Sequence, residues 1–329
     1  MKKVAINGMG RIGRASLKVI LDSKDFALVA VNDILPIENL AYLLRYDTTY
    51  GPYKREVSFS EDSLIVDGQK IRYHSERNPK DLPWKEYDID VVIESTGVFT
   101  QSEDAALHLQ AGAGTVVISA PTKSQDAPTV VHGVNSSGGE SNIFSCASCT
   151  TNNISPIVEI LGRTVGIQKA IMTTIHAYTA SQSLMDSASP KNLRMGRAAA
   201  DNLVPTSTGA AIATTKALPE FVGKFDGVAV RVPVKVGSIS DMTFVTKRPV
   251  STEEINEILE LEARGERYHE VLSTTREALV SSDIIGSPYA AIVDLNMTRV
   301  VDGDLLKVMA WYDNEWGFTH QMIRLIRDL

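Results

Sequence analysis

Cysteine is almost absent. The 329-residue chain holds two, Cys146 and Cys149. Two thiols exclude a disulfide framework, and a zinc site would need ligands that no further cysteine supplies, so no metal is expected. Long apolar runs are missing too; none reaches the roughly 20 residues that a spanning helix needs. The start, Met1-Lys2-Lys3, has the charge of a secretory leader, but glycines follow in place of an apolar stretch, and no leader is expected. Positive charge is not in excess. A net charge of -7 argues against nucleic acid held by bulk attraction, while leaving room for a local pocket for a small phosphate. The expected setting is therefore the reducing cytoplasm, with small-molecule partners and neither nucleic acid nor membrane. Linkers, repeats and low-complexity tracts are also lacking. The length still exceeds what one core usually holds, so two domains sharing an extensive contact are expected.

What is present at the N-terminus is a βαβ pattern. Val4 to Asn7 reads as a buried strand, Arg11 to Leu21 as a helix, and Phe26 to Asn32 as a second strand ending at Asp33. That unit implies a parallel sheet. Helical material follows in Glu38 to Arg45. Segments near Val57, Leu64 to Val66 and Ile71 to Tyr73 read as a small antiparallel excursion, with a hairpin signal at Val66-Asp67-Gly68-Gln69. Ile89 to Glu94 and Thr115 to Ile118 resume the buried strands, with a helix over Glu103 to Ala111. Beyond Cys149 the texture changes. A helix over Thr151 to Leu161 and a strand to His176 precede a polar, irregular stretch from Thr179 to Ala198. Longer amphipathic strands then cover Gly227 to Val234, Ile239 to Val245 and Leu305 to Trp311, and a last helix runs from about Trp316 to Arg327. The fold class is α/β: a Rossmann-type parallel sheet domain plus an α+β catalytic domain with a mixed or antiparallel sheet.

Two constellations carry chemistry. Gly8-Met9-Gly10-Arg11-Ile12-Gly13 follows a strand, opens a helix, and has Asp33 at the end of the next strand. The first two glycines allow a tight turn and close approach of a pyrophosphate, Gly13 allows close helix–strand packing, and Asp33 would accept from ribose hydroxyls. Its charge repels a 2′-phosphate, so NAD is favoured over NADP. The second constellation is Ser148-Cys149-Thr150-Thr151-Asn152 with His176. A cysteine opening a helix meets partial positive charge and unpaired N–H groups, and an imidazole brought close would lower the thiol pKa further. Read alone, Cys149 is also compatible with a small buried residue or with a redox pair formed with Cys146. Thr206-Ser207-Thr208-Gly209 opens a helix that can hold a phosphate on backbone N–H groups or be an ordinary capped helix start. Arg231 lies in an apolar strand and wants an anionic partner, protein or ligand. Arg194 and Arg197 belong to a basic stretch that faces either a site or a subunit contact.

Five segments together are highly specific: Ala5 to Arg14, Ala147 to Asn152, Thr173 to Thr179, Pro205 to Ala211 and Trp311 to Gly317. On these the chain resembles the phosphorylating glyceraldehyde-3-phosphate dehydrogenases over essentially its full length. The resemblance implies NAD-dependent oxidative phosphorylation of D-glyceraldehyde 3-phosphate to 1,3-bisphosphoglycerate, with NADP as a poorer cofactor. It implies Cys149 as nucleophile and His176 as its base. Ser148, Thr150, Thr208 and Gly209 correspond to the site for inorganic phosphate; Thr179 and Arg231, with Arg194 nearby, correspond to the site for the substrate's phosphate. Arg11, Ile12, Asp33, Arg77 and Ser119 correspond to cofactor contacts, and Asn314 to the residue holding the nicotinamide carboxamide. A homotetramer is implied, with residues 1–148 as the cofactor domain, completed by the last helix, 315–329, and residues 149–314 as the catalytic domain. The chain departs from the common pattern in places. Asn153 stands where a second cysteine is frequent, and Cys146 where an asparagine is. Asp186-Ser187-Ala188-Ser189-Pro190 lacks a leucine-proline pair in a loop that, in this family, approaches a neighbouring subunit's cofactor; small residues there leave room for a 2′-phosphate. The competing readings are an erythrose-4-phosphate dehydrogenase of the same family, which the Pro205-Thr206-Ser207-Thr208-Gly209 stretch argues against, and a non-catalytic relative.

Overall fold

The computed structural model describes residues 1–136, 139, 141–190 and 192–329. It has two compact units: Met1–Val130, Ser136–Ala147 and Met322–Leu329 form one, and Val131–Asn135 and Ser148–Gln321 the other.

The first unit is built on β1 (Lys2–Asn7), β2 (Phe26–Asn32), β3 (Val57–Phe59), β4 (Ser63–Val66), β5 (Gln69–His74), β6 (Val91–Glu94), β7 (Thr115–Ile118) and β8 (Ile143–Ser145), in the order β3-β4-β5-β2-β1-β6-β7-β8. From β5 to β8 neighbouring strands are parallel, which is the Rossmann-type arrangement expected. Val4, Ala5 and Ile6 are fully buried, as a parallel strand covered on both faces demands. The antiparallel excursion is real but not separate. β3, β4 and β5 pair antiparallel, and β5 then joins β2 in parallel, extending the main sheet. Its hairpin turns on Asp67 (φ 48°) and Gly68 (φ 78°), the double left-handed conformation of a type I′ turn. The connecting helices are α1 (Arg11–Asp22), α2 (Ile37–Arg45), α3 (Trp84–Tyr87) and α4 (Ser102–Gln110). Strand order reverses at β1, which has β2 on one side and β6 on the other. A crevice for a ligand is expected outside the strand ends at such a point.

The second unit holds β9 (Ile167–Ala177), β10 (Val204–Ser207), β11 (Phe225–Val232), β12 (Ser238–Thr246), β13 (Leu272–Thr275), β14 (Ala291–Asp294), β15 (Arg299–Val301) and β16 (Leu305–Tyr312), with α5 (Cys149–Thr164), α6 (Ala210–Ala217), α7 (Thr252–Arg264) and the start of α8 (Trp316–Asp328). The sheet runs β10-β11-β9-β12-β16-β14-β13, with β15 on β16. It is mixed: β9–β11 and β13–β14 are parallel, the other pairs antiparallel. α5 starts two residues earlier than the periodicity indicates, because the Ser148 hydroxyl accepts from the Thr151 N–H at 3.1 Å and caps the helix. It also continues through Pro156. Ile154, Ile157, Val158, Ile160 and Leu161 are fully buried. At roughly 1.5–3 kcal/mol each, they outweigh the roughly 3 kcal/mol that an interior proline costs.

Candidate active site

A strained residue precedes the site of the second unit. Ala147, immediately before the cap, is held at φ 62°, which costs a non-glycine residue roughly 1–2 kcal/mol; such strain tends to collect at functional positions. Cys149 is then the first residue of α5. Its Sγ lies 3.3 Å from His176 Nε2, at the end of β9. The imidazole is buried, and its Nδ1 lies 2.6 Å from the Ala177 carbonyl oxygen. A carbonyl only accepts, so this contact favours the ring proton on Nδ1 and a lone pair on Nε2 toward the thiol, while Arg231, which only donates, opposes it by standing at the same nitrogen. Arg231 pairs with His176 in register across β9 and β11. Its Nη1 reaches the same carbonyl at 3.1 Å and stands 2.8 Å from Nδ1.

Burial acts on both members of this pair. Burial pushes the Cys149 thiol up, against the opposing pull of Arg231 and of the Thr150 hydroxyl and N–H. Burial, reinforced by Arg231, pushes His176 down to about 4. Both directions favour a neutral thiol beside a neutral imidazole, so His176 is a base in waiting. Cys149 keeps a partly exposed edge by which a substrate can reach it. Tyr312, which sequence reasoning missed, fixes the surroundings. Its buried hydroxyl lies 2.9 Å from Thr150 Oγ1 and 2.8 Å from Thr174 Oγ1, and its ring meets His176 edge-on at 5.9 Å. The signals available were its place in the family segment Trp311 to Gly317 and in the inward phase of β16, after Leu306, Val308 and Ala310.

The remaining expected residues of this unit fall into two groups. Among the described residues no carboxylate pairs with Arg231, and its buried Nε has no partner. Thr179 follows β9, with its hydroxyl 2.9 Å from that of Ser181. Arg194 is exposed and reaches only the Pro205 carbonyl, at 3.4 Å. Gly209 precedes α6, which has no side-chain cap and no acid in its first turn; the Thr208 hydroxyl accepts from the Ala210 N–H at 3.2 Å. The Ser148 and Thr150 hydroxyls are engaged, one on the α5 cap and the other with Tyr312. Asn314 Oδ1 accepts from the Gly237 N–H and the Ser238 hydroxyl, so what its amide has left to offer a ligand is Nδ2–H. In the 186–190 loop, Asp186 pairs with Arg197 at 3.0 Å and accepts from the Ala198 N–H, while Ser187 and Ala188 are exposed.

In the first unit, a cavity of about 370 Å³ is lined by residues that include Gly8, Gly10, Asp33 and Arg77. A Cβ at Gly8 would lie 2.6 Å from the Thr96 nitrogen, and one at Gly13 would lie 1.9 Å from the Gly8 carbonyl oxygen, so both positions require glycine. α1 has neither a side-chain cap nor an acid in its first turn, which leaves an uncapped positive end suited to a pyrophosphate. Ile12 belongs to that first turn. Arg11 cannot bring its guanidinium there, because Nη1 is bound to Asp47 at 2.6 Å; what it offers is backbone. Asp33 accepts from the Met9 N–H at 2.6 Å and from the Leu35 N–H at 2.9 Å, so the same carboxylate that faces the cavity also holds the glycine turn. Ser119 stands one residue past β7, with its N–H on the Glu94 carbonyl, and does not line this cavity. Sequence reasoning missed Asn7, Asn32, Glu76, Thr96 and Phe99 in the lining. Cys146 is fully buried, and its thiol is bound to the Ile118 carbonyl and pushed up to about 12 by burial. Those are the attributes of an inert thiol.

Residues 2–102 match the family model described as glyceraldehyde 3-phosphate dehydrogenase, NAD binding domain, and residues 148–314 match its C-terminal domain. Similar proteins include glyceraldehyde-3-phosphate dehydrogenase 2 of Streptomyces avermitilis, 45% identical over 98% of this chain and 97% of that protein. The glyceraldehyde-3-phosphate dehydrogenase of Geobacillus stearothermophilus is 44% identical over 98% and 96%. Glyceraldehyde-3-phosphate dehydrogenase 2 of Bacillus subtilis is 44% identical over 99% and 96%.

Proposed function

The chain belongs to the glyceraldehyde-3-phosphate dehydrogenase family, and from that premise we propose how its own residues perform NAD-dependent oxidation of D-glyceraldehyde 3-phosphate. The observation that carries the reading is Cys149 Sγ at 3.3 Å from His176 Nε2. Cys149 attacks the aldehyde carbon as Nε2 takes the thiol proton, and the imidazolium returns that proton to the former carbonyl oxygen, leaving a hemithioacetal on sulfur and a neutral His176. NAD, when bound, supplies the hydride acceptor for that carbon. As the carbon is oxidised, His176 takes the hydroxyl proton and a thioester remains. Inorganic phosphate attacks the thioester carbonyl, the acyl phosphate leaves, and the departing sulfur recovers a proton from His176. Oxidation energy is thereby kept in an acyl bond that attack by water would lose.

The anion sites belong to the same reading and are assigned by the family resemblance. Arg231, with Thr179 and Arg194, takes the phosphate of the aldehyde; Thr208 and Gly209 at the uncapped start of α6, with Ser148 and Thr150, take inorganic phosphate. The about 370 Å³ cavity takes the adenosine half of NAD, with Asp33 on the ribose, Arg77 at the rim and the pyrophosphate at Arg11 and Ile12. Ser119 and the Asn314 Nδ2–H serve the nicotinamide end. The functional division runs at 148/149, with 315–329 returning to the cofactor domain. Turnover measured with and without inorganic phosphate tests this reading: acyl phosphate should form only when phosphate is present. Faster turnover of erythrose 4-phosphate would favour the sister activity, and no turnover a non-catalytic relative.

Arg231→Ala should raise KM for the aldehyde phosphate by about 10- to 100-fold, as losing a hydrogen bond to a charged group does. Thr208→Ala should raise KM for inorganic phosphate by about 2- to 10-fold. Equal small effects of both changes on both ligands would argue against two sites. On cofactor choice, Asp33 favours NAD, while the small Ser187 and Ala188 leave NADP detectable. Asp33→Gly should weaken NAD by at least about tenfold, because ribose contacts and the anchor of the Met9 N–H are lost together, and should narrow the gap to NADP. A wild type with higher kcat/KM for NADP would show that the 186–190 loop outweighs Asp33.

Two further attributes belong to this reading. Leu193, Leu203, Ile171 and Val228 are exposed on the second unit, apolar surface that assembly into a homotetramer would cover; a sedimentation mass of one chain would overturn it. Neither cysteine is in a disulfide, as suits an enzyme of the reducing cytoplasm.

A further inference from the structure

We propose that Glu94 and His108 are positioning residues for the adenosine half of the cofactor. Neither enters the mechanism and neither lines the cavity, yet both are fully buried, with Asn7 and Asn32 beside them. Glu94 Oε2 accepts from Asn7 Nδ2 at 2.6 Å and from His108 Nε2 at 3.1 Å. Oε1 accepts from the Thr96 N–H at 2.8 Å and from the Thr96 hydroxyl. Trp84 Nε1–H, a donor only, points at His108 Nδ1 at 2.9 Å. The ring proton therefore sits on Nε2, facing the carboxylate. On the other side, Asn7 Oδ1 accepts from Asn32 Nδ2 at 2.7 Å. Asn32 in turn grips the Glu76 backbone at both ends of its amide, Nδ2 to the carbonyl at 2.9 Å and Oδ1 from the N–H at 2.8 Å.

Four donors on one buried carboxylate offset the cost of taking it out of water. Satisfaction alone would make this a fold element; its location makes it more. Asn7, Asn32, Glu76 and Thr96, the groups this chain of bonds fixes, are cavity lining, and so is Phe99, whose ring stands edge-on to His108 at 6.5 Å. These groups come from the ends of β1, β2 and β6 and from the two loops after β5 and β6. Glu94 refers them all to one point, and His108 ties that point to α4. A binding site is only as precise as the shell that holds its lining in place. The proposal rests on the assignment of this cavity to the adenosine half.

Calorimetric titration of the purified full-length chain with NAD, and separately with ADP-ribose, tests it. Glu94→Gln puts an NH₂ among donors, and His108→Leu removes both ring nitrogens. Each should weaken NAD and ADP-ribose alike by about tenfold or more. His108→Gln keeps a donor for Glu94 and should stay within about threefold. KM for NAD should follow these affinities, while kcat at saturating NAD and KM for the aldehyde phosphate hold; a merely structural defect would lower the melting temperature without that split. Unchanged affinity in folded variants, or a loss for NAD that ADP-ribose does not share, would overturn the proposal. Should both variants fail to fold, Trp84→Phe removes the N–H that donates to His108 Nδ1, with part of one buried ring. It should weaken ADP-ribose by about threefold, and no change there would equally overturn it. A wild type that binds NAD but not ADP-ribose overturns the cavity assignment itself, and this proposal with it.

Discussion

Cys149→Ser should lower turnover by on the order of 10⁴-fold or more while leaving folding and NAD binding intact. The change swaps one atom at the first position of α5 and leaves the Ser148 cap and the Tyr312 contacts untouched. What it removes is the nucleophile and the acyl carrier together, since an alcohol near neutral pH is a far weaker nucleophile than a thiol whose proton has a base 3.3 Å away. Pre-steady-state reduction of NAD should lose its burst, and no thioester mass should appear on the protein. Turnover near the wild-type level would end the covalent mechanism, whatever the sequence similarity.

His176→Asn should slow oxidation of the aldehyde by roughly 10²–10⁴-fold, the usual contribution of a positioned base. It should also change how Cys149 reacts with a neutral alkylating reagent. Burial holds the thiol above its ordinary pKa, so without the imidazole little of it is ionised near neutrality. The alkylation rate should be low there and climb about tenfold per pH unit until the thiol titrates. Unchanged alkylation would show that His176 does not activate the sulfur. Stability carries a second signature. The folded imidazole titrates at about 4 against an ordinary 6.5, so between these values the unfolded chain binds a proton that the folded chain refuses. Stability should therefore fall as the pH drops from 6.5 toward 4, and that part of the acid sensitivity should vanish in His176→Asn.

The legible parts of the sequence were those in which one residue type has few physical uses. Glycine at 8 and 13 has no substitute where a Cβ would strike backbone. A buried strand followed by that turn and by Asp33 defines a parallel sheet and its ligand end. Cys149 was legible as the residue after a Ser cap, and His176 by its place in the family segment. What escaped were contacts set by register and by distant segments. Nothing near Glu94 announces that Asn7, Thr96 and His108 converge on it, because its partners lie up to 87 residues away in the chain. Tyr312 escaped for the same reason, with Thr150 at a separation of 162. The burial of the catalytic pair also escaped, because a helix terminus is visible in a sequence and the degree of burial around a sulfur is not. The ion pair of Arg11 with Asp47, 36 residues on, was likewise out of reach.

Arg231 meets His176 because the two are paired residues on neighbouring parallel strands, although 55 positions separate them in the chain. The chemistry thus inherits the pleat. Extra chain in the irregular stretch between them, placed away from Thr179, Arg194 and the 186–190 loop, leaves the pairing alone. A single residue inserted within β9 or β11 is different in kind: side chains alternate faces along a strand, and the guanidinium would turn to the opposite side from the imidazole. Insertion scanning should therefore divide this region sharply, into a connection that accepts extra chain and two short strands in which one added residue abolishes turnover.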